Sequence, residues 1–175
     1  MNQATHFKNL AIVMLTWALG LIASGYSPAD RITWVLEVFP ASIAFAFMWP
    51  TRKSFPLTPM LDTLIAIHGL ILMLGGAYTY AKLPMGFWMQ DGFGFTRNNY
   101  DKIGHFAQGF VPAIAAHELL IRKFNVRHRR LLPFLFISIC LGFSAFYEII
   151  EWWSAVAMGQ GADNFLGTQG DIWDT

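Results

Sequence analysis

Apolar residues fall in five long blocks, separated by short breaks that are polar or rich in glycine and proline. A helix crosses the hydrocarbon core of a bilayer with about 20 mostly apolar residues. By that measure the chain carries five spans, over about residues 9–26, 32–49, 60–81, 101–121 and 131–158. Ser27-Pro28-Ala29-Asp30 closes the first with turn chemistry. Pro40 is placed to kink the second, and Trp49-Pro50 to stop it. Between the third and fourth, residues 82–100 interleave Phe87, Trp88, Phe93 and Phe95 with glycines, which predicts an interfacial or re-entrant cap over the helix ends. After the fifth, Gly159-Gln160-Gly161 leads into a polar tail. The expected architecture is an all-α polytopic transmembrane bundle, a single domain over residues 1–175.

Composition agrees. Hydrophobic residues make up 55% of the chain and charged residues 13%, where a soluble domain has about a quarter charged. A formal net charge of +1 offers no bulk attraction for nucleic acid. Cys140 is the single cysteine, so it forms no intrachain disulfide and no zinc cluster, and its apolar neighbours suit a small core residue. The first block, after Lys8, could be mistaken for a signal peptide. Leu21 fills the −3 position of Leu21-Ile22-Ala23, where cleavage needs a small residue, so the block reads as a retained span.

Lys and Arg placement sets the expected orientation. With a cytoplasmic N-terminus, inside segments hold Lys8, Arg52, Lys53, Arg122, Lys123, Arg127, Arg129 and Arg130, eight of the twelve basic residues. Arg31, Lys82, Arg97 and Lys102 fall outside. The 122–130 loop alone favours this orientation. Such a loop could also bind a partner, but a positive-inside anchor is the plainer account.

Two polar stripes interrupt the apolar pattern. Asp101, His105 and Gln108 fall at i, i+4 and i+7, one face of the fourth span. Ser144, Glu148 and Glu151 repeat that spacing in the fifth, with Tyr147 beside them. At 1.5 Å per residue, Glu148 lies about 26 Å and Glu151 about 30 Å along the helix from Leu131. Both are therefore near the far boundary of a core about 30 Å thick. His105 lies about 6 Å inward of Asp101 by the same rise. The stripes reach one depth from opposite ends. They predict an outward-facing acidic pocket, with Asp101 and His105 on one wall, Glu148 and Glu151 on the other, and the Asp163–Asp174 tail as a lid.

Charged groups in hydrocarbon cost roughly 2.5–3.5 kcal/mol each on insertion scales, so they face a bundle interior and carry a role there. Three roles fit. The cluster could fasten helices by hydrogen bonds. It could hold a divalent metal through Asp101, His105, Glu148, Glu151, Asp171 and Asp174, with His105, Glu148 and Glu151 as catalytic groups acting on an envelope lipid or lipid-linked phosphate. Carboxylates suit magnesium or manganese, an added imidazole admits zinc or iron, and imidazole titrates near neutrality. Thirdly, it could pass protons or ions. The fastening reading makes the protein a non-enzymatic scaffold or transporter-like bundle. No H-E-x-x-H or EF-hand pattern supports the metal, and no nucleophile elbow is present. Glu37, in the outer part of the second span, is as well placed to join the pocket as to sit at the interface. His68 reads as a satisfied packing histidine, and His117 and Glu118 as partners of the headgroups or the basic loop.

Three motif blocks carry a family resemblance. They are Asn99-Tyr100-Asp101-Lys102-Ile103-Gly104-His105-Phe106, Tyr147-Glu148-x-x-Glu151-Trp152, and Asp163-Asn164-x-x-Gly167-Thr168-Gln169-Gly170-Asp171-x-x-Asp174-Thr175. Together they resemble the YjdF-type bacterial inner-membrane proteins, a family of unknown function, over most of the chain. Asp101-Lys102-x-x-His105 and Asp163-Asn164-x-x-Gly167 are more weakly similar to VanZ-like membrane proteins, which are associated with glycopeptide tolerance. The resemblance implies a bacterial plasma membrane and six spans. The chain ends at Thr175 inside the third block, so a sixth span is expected to be lost by truncation.

Overall fold

The computed structural model describes residues 3–158, with side chains over residues 7–157. It contains α1 (Gln3–Gly25), α2 (Arg31–Thr51), α3 (Pro59–Tyr78), α4 (Pro84–Phe93), α5 (Tyr100–Arg122) and α6 (Leu131–Met158), with no strand among the described residues. The all-helical class is as expected.

Four helices, α1, α2, α3 and α6, are long and apolar enough to cross a membrane. The remaining expected span is α5. Its 23 residues extend about 34 Å, but Asp101, Lys102, Glu118 and Arg122 interrupt its apolar run. It therefore rests on length alone.

The bundle is built around α3. Helices α1, α2 and α5 all pack on it, and α6 packs chiefly on α5. In a bilayer, helices associate through close packing at small residues. Gly69 of α3 admits Trp17 of α1 and Phe45 of α2, whose rings stack at 4.4 Å. Leu10, Phe45, Met48 and Ala66 form the core beside them. Ile12, Leu15, Phe47, Phe134 and Leu141 point outward and are exposed, an apolar mantle suited to lipid. Cys140 sits where α6 crosses α5, its thiol donating to the Gly109 carbonyl at 2.9 Å. His68 differs from expectation: its Nε2 is buried without a hydrogen-bond partner among the described residues.

Helix ends are tied by polar side chains. Thr33 N donates to the Asp30 carboxylate at 2.7 Å, capping α2. Thr58 caps α3, with Pro59 in its first turn. Glu118 of α5 reaches this cap, accepting from Thr58 N at 3.0 Å and Thr58 Oγ1 at 2.9 Å. It also pairs with Arg122, which donates to the Pro56 carbonyl at 2.6 Å. Glu118 thus meets Arg122, the first residue of the basic 122–130 stretch, as one of its expected placements had it, and it also clamps α5 to the α2–α3 connection. His117, exposed beside it, contacts Phe136 edge-on.

The aromatic 82–100 segment contains a helix that was not expected. Pro84 opens α4 and Gly94, at φ +67°, closes it in the left-handed conformation. Its inner side rests on Asn98, while Phe87, Trp88 and Phe93 remain exposed. Asn98 Nδ2 donates to the Ala81 and Leu83 carbonyls at 3.1 Å each, and its Oδ1 accepts from Tyr100 N at 3.1 Å. One buried amide joins the start of α4 to the start of α5. Ten residues with aromatics on several faces show no clear helical period, which hid α4 in the sequence.

Candidate functional site

The turn after α3 shapes the polar end of the bundle. Thr79 and Tyr80 lie at φ +53° and +46°, a region costly for a β-branched and an aromatic residue. The turn sends the Tyr80 ring back over Gly75, where an added Cβ would stand 2.3 Å from it, and onto Gly104 of α5. Tyr80 is held there with Tyr100, at 5.9 Å between ring centres, and Leu83.

Beside Tyr80 lies a small polar cavity, lined by Glu37 of α2, Asp101, Gly104, His105 and Gln108 of α5, and Tyr147 and Glu151 of α6. Its volume is about 20 Å³, room for about one water molecule. Glu37 is 3% exposed, and Tyr147 Oη faces its Oε2 at 3.5 Å, the outer limit of a hydrogen bond. Asp101 is 5% exposed. Arg97 Nη2 lies 3.2 Å from Asp101 Oδ2, close enough for a charge pair. Among the described residues neither carboxylate oxygen accepts a hydrogen bond. The buried Gln108 Nε2 likewise donates to no described group. At the cavity edge His105 Nδ1 faces Glu148 Oε1 at 3.5 Å, with the two side chains 37% and 32% exposed.

The depth estimate thus matches the geometry: the α5 and α6 stripes meet, and Asp101, His105 and Glu151 line one cavity with Glu148 at its edge. Asp163, Asp171 and Asp174, with the expected lid, lie outside the described residues. Glu37, one of two open placements from the sequence, lies inside. Tyr80 was missed altogether, because nothing in its local sequence announces a left-handed turn. Among the described residues, no group of three or more His, Cys, Asp or Glu side chains is arranged to hold a metal ion. Asp101, His105, Glu148 and Glu151 do not by themselves form such a group. What they can do is bond across helix boundaries and solvate a small polar guest.

The pattern of a family described as "Predicted membrane protein (DUF2238)" matches residues 9–175. The chain belongs to that family. It is also similar to the inner membrane protein YjdF of Escherichia coli (strain K12), 55% identical over 161 residues, which cover 92% of this chain and 77% of the relative. No solved structure matches. With its four long apolar helices, the chain is a multi-pass membrane protein.

Proposed function

We propose that this family member is a non-enzymatic bundle of the inner membrane, in which the polar residues fasten α2, α5 and α6 around one buried water. The supporting observation is that two polar contacts at the cavity run between helices, His105–Glu148 from α5 to α6 and Tyr147–Glu37 from α6 to α2. A catalytic site needs a pocket of hundreds of Å³ for its substrate, far above the volume here. A water, by contrast, would satisfy Asp101 and Gln108, as buried waters do for otherwise unpaired groups. In this reading α5 also crosses the membrane, as the fourth of five spans, and the N-terminus is cytoplasmic, which places the cavity toward the outer face.

The rival reading is a metal-assisted site acting on an envelope lipid or lipid-linked phosphate. It needs ligands beyond those that converge among the described residues. A double-mutant cycle on His105→Ala and Glu148→Gln in detergent-purified protein separates the two. Fastening predicts a coupling of about 0.5–1 kcal/mol, as for a partly exposed pair, and no change in metal content. Additive losses would remove the support for fastening. A stoichiometric divalent metal, lost from His105→Ala, would favour the rival. Reporter fusions within residues 82–100 check orientation: an extracytoplasmic signal is expected, and a cytoplasmic one overturns it.

A further inference from the structure

At the other end of α6, away from the polar cavity, lies a different kind of surface. Residues 123–130 connect α5 to α6 and carry Lys123, Arg127, His128, Arg129 and Arg130, all exposed. His128, Arg129, Arg130 and Pro133 line an open concavity of about 830 Å³. His128 is engaged in the fold, its Nδ1 accepting from Leu131 N at 3.2 Å to cap α6. Arg129 and Arg130 have no acidic partner among the described residues. Their guanidinium groups remain available for an outside anion.

Directly below, α6 presents Leu131, Phe134, Ile137 and Leu141 as exposed side chains. At 100° per residue these lie within about 120° of arc, a single stripe down the helix. Helix α6 has 28 residues, about 42 Å against a hydrocarbon core of about 30 Å. Its first turn therefore reaches headgroup level when the stripe lies along acyl chains. A cationic concavity set at the top of an apolar stripe matches an amphiphile with an anionic head.

We propose that the His128–Pro133 concavity binds the phosphodiester headgroup of an anionic phospholipid, with Arg129 and Arg130 pairing its phosphate and the Leu131–Leu141 stripe holding its chains. Guanidinium forks suit phosphate oxygens geometrically, and each is charge-assisted. Basic sites at the membrane boundary beside helices are known to select such lipids.

The test measures lipid binding to purified full-length protein in neutral detergent, by native mass spectrometry or thermal shift. The probes are phosphatidylglycerol, phosphatidylcholine and inorganic phosphate. Phosphatidylglycerol alone is expected to bind and to raise the unfolding midpoint. Arg129→Gln and Arg130→Gln each weaken it about fivefold, by the usual worth of one basic residue at an anionic surface. Both positions are exposed, so both variants keep the lipid-free midpoint. Lys53→Gln, an exposed basic residue in the α2–α3 connection, leaves binding unchanged. Equal binding of phosphatidylcholine overturns the proposal. An equal shift with inorganic phosphate also overturns it, assigning the site to free phosphate. So does an equal loss in Lys53→Gln, which would show diffuse charge attraction instead of a site.

Discussion

Alanine at position 86 should break the joint between α4 and α5. An added Cβ would stand 1.8 Å from Asn98 Oδ1, 2.4 Å from its Cγ and 2.5 Å from its Nδ2. Something must move, and Asn98 is poorly able to. It is 1% exposed and held by hydrogen bonds that include those to the Ala81 and Leu83 carbonyls and from Tyr100 N. Each bond contributes about 1 kcal/mol net, and a buried group left unpaired costs about 1–3 kcal/mol. Displacing the amide therefore loses about 3 kcal/mol for these bonds alone, and more where a group stays buried and unpaired. The helix preference of alanine over glycine returns at most about 1 kcal/mol. Gly86→Ala is expected to destabilise the protein by about 2–4 kcal/mol. The assay is equilibrium unfolding in detergent micelles, run as a double-mutant cycle with Asn98→Ala. Asn98→Ala alone should cost about 3 kcal/mol, since it removes the same bonds. On that background the amide is gone, and Gly86→Ala should become neutral or slightly stabilising. Equal cost in both backgrounds would refute the clash, as would a single-variant cost below about 0.5 kcal/mol, within ordinary additivity error.

Two further outcomes follow from the helix ends. Asp30→Ala should cost about 1 kcal/mol at neutral pH, the usual worth of an N-cap. The Thr33 N–H bonded to Asp30 holds its carboxyl below the ordinary 3.8. The cap is therefore fully present above 3.8 and is lost as pH falls through the lower folded value. Unfolding curves of wild type and Asp30→Ala should converge in acid, and a gap that persists there would contradict the carboxylate cap. Glu118→Ala should cost about 3 kcal/mol, because it strands Arg122 and the Thr58 N–H together, while Glu118→Gln, which still accepts from Thr58, should cost about half as much. A loss below about 1 kcal/mol for the alanine variant would show that water replaces the clamp.

The polar site was partly legible before the fold was known. His105 and Glu148 were expected at one depth because helix rise turns residue counts into ångströms, and they stand 3.5 Å apart. Glu37 stayed open because its depth was known but the rotation of α2 about its axis was not. Tyr80 was invisible: its place depends on two left-handed residues in succession and on the absence of a Cβ at Gly75. Glu118 was read only in part: its place beside the basic stretch was legible and it pairs with Arg122, but its other partner Thr58 lies 60 residues away in the chain.

Membrane residence and the positions of the long helices belong to the sequence by itself. Crossing hydrocarbon demands apolar length within one contiguous segment, a local property that can be counted. Which side chains meet depends on helix rotation, on turns with unusual backbone angles and on glycines that admit a neighbour, and these are settled only when the helices pack. The bundle was therefore written in α1, α2, α3 and α6 one at a time, while the cavity of Glu37, Asp101, His105 and Glu151, and the Asn98 joint beside it, came into being only with the tertiary structure.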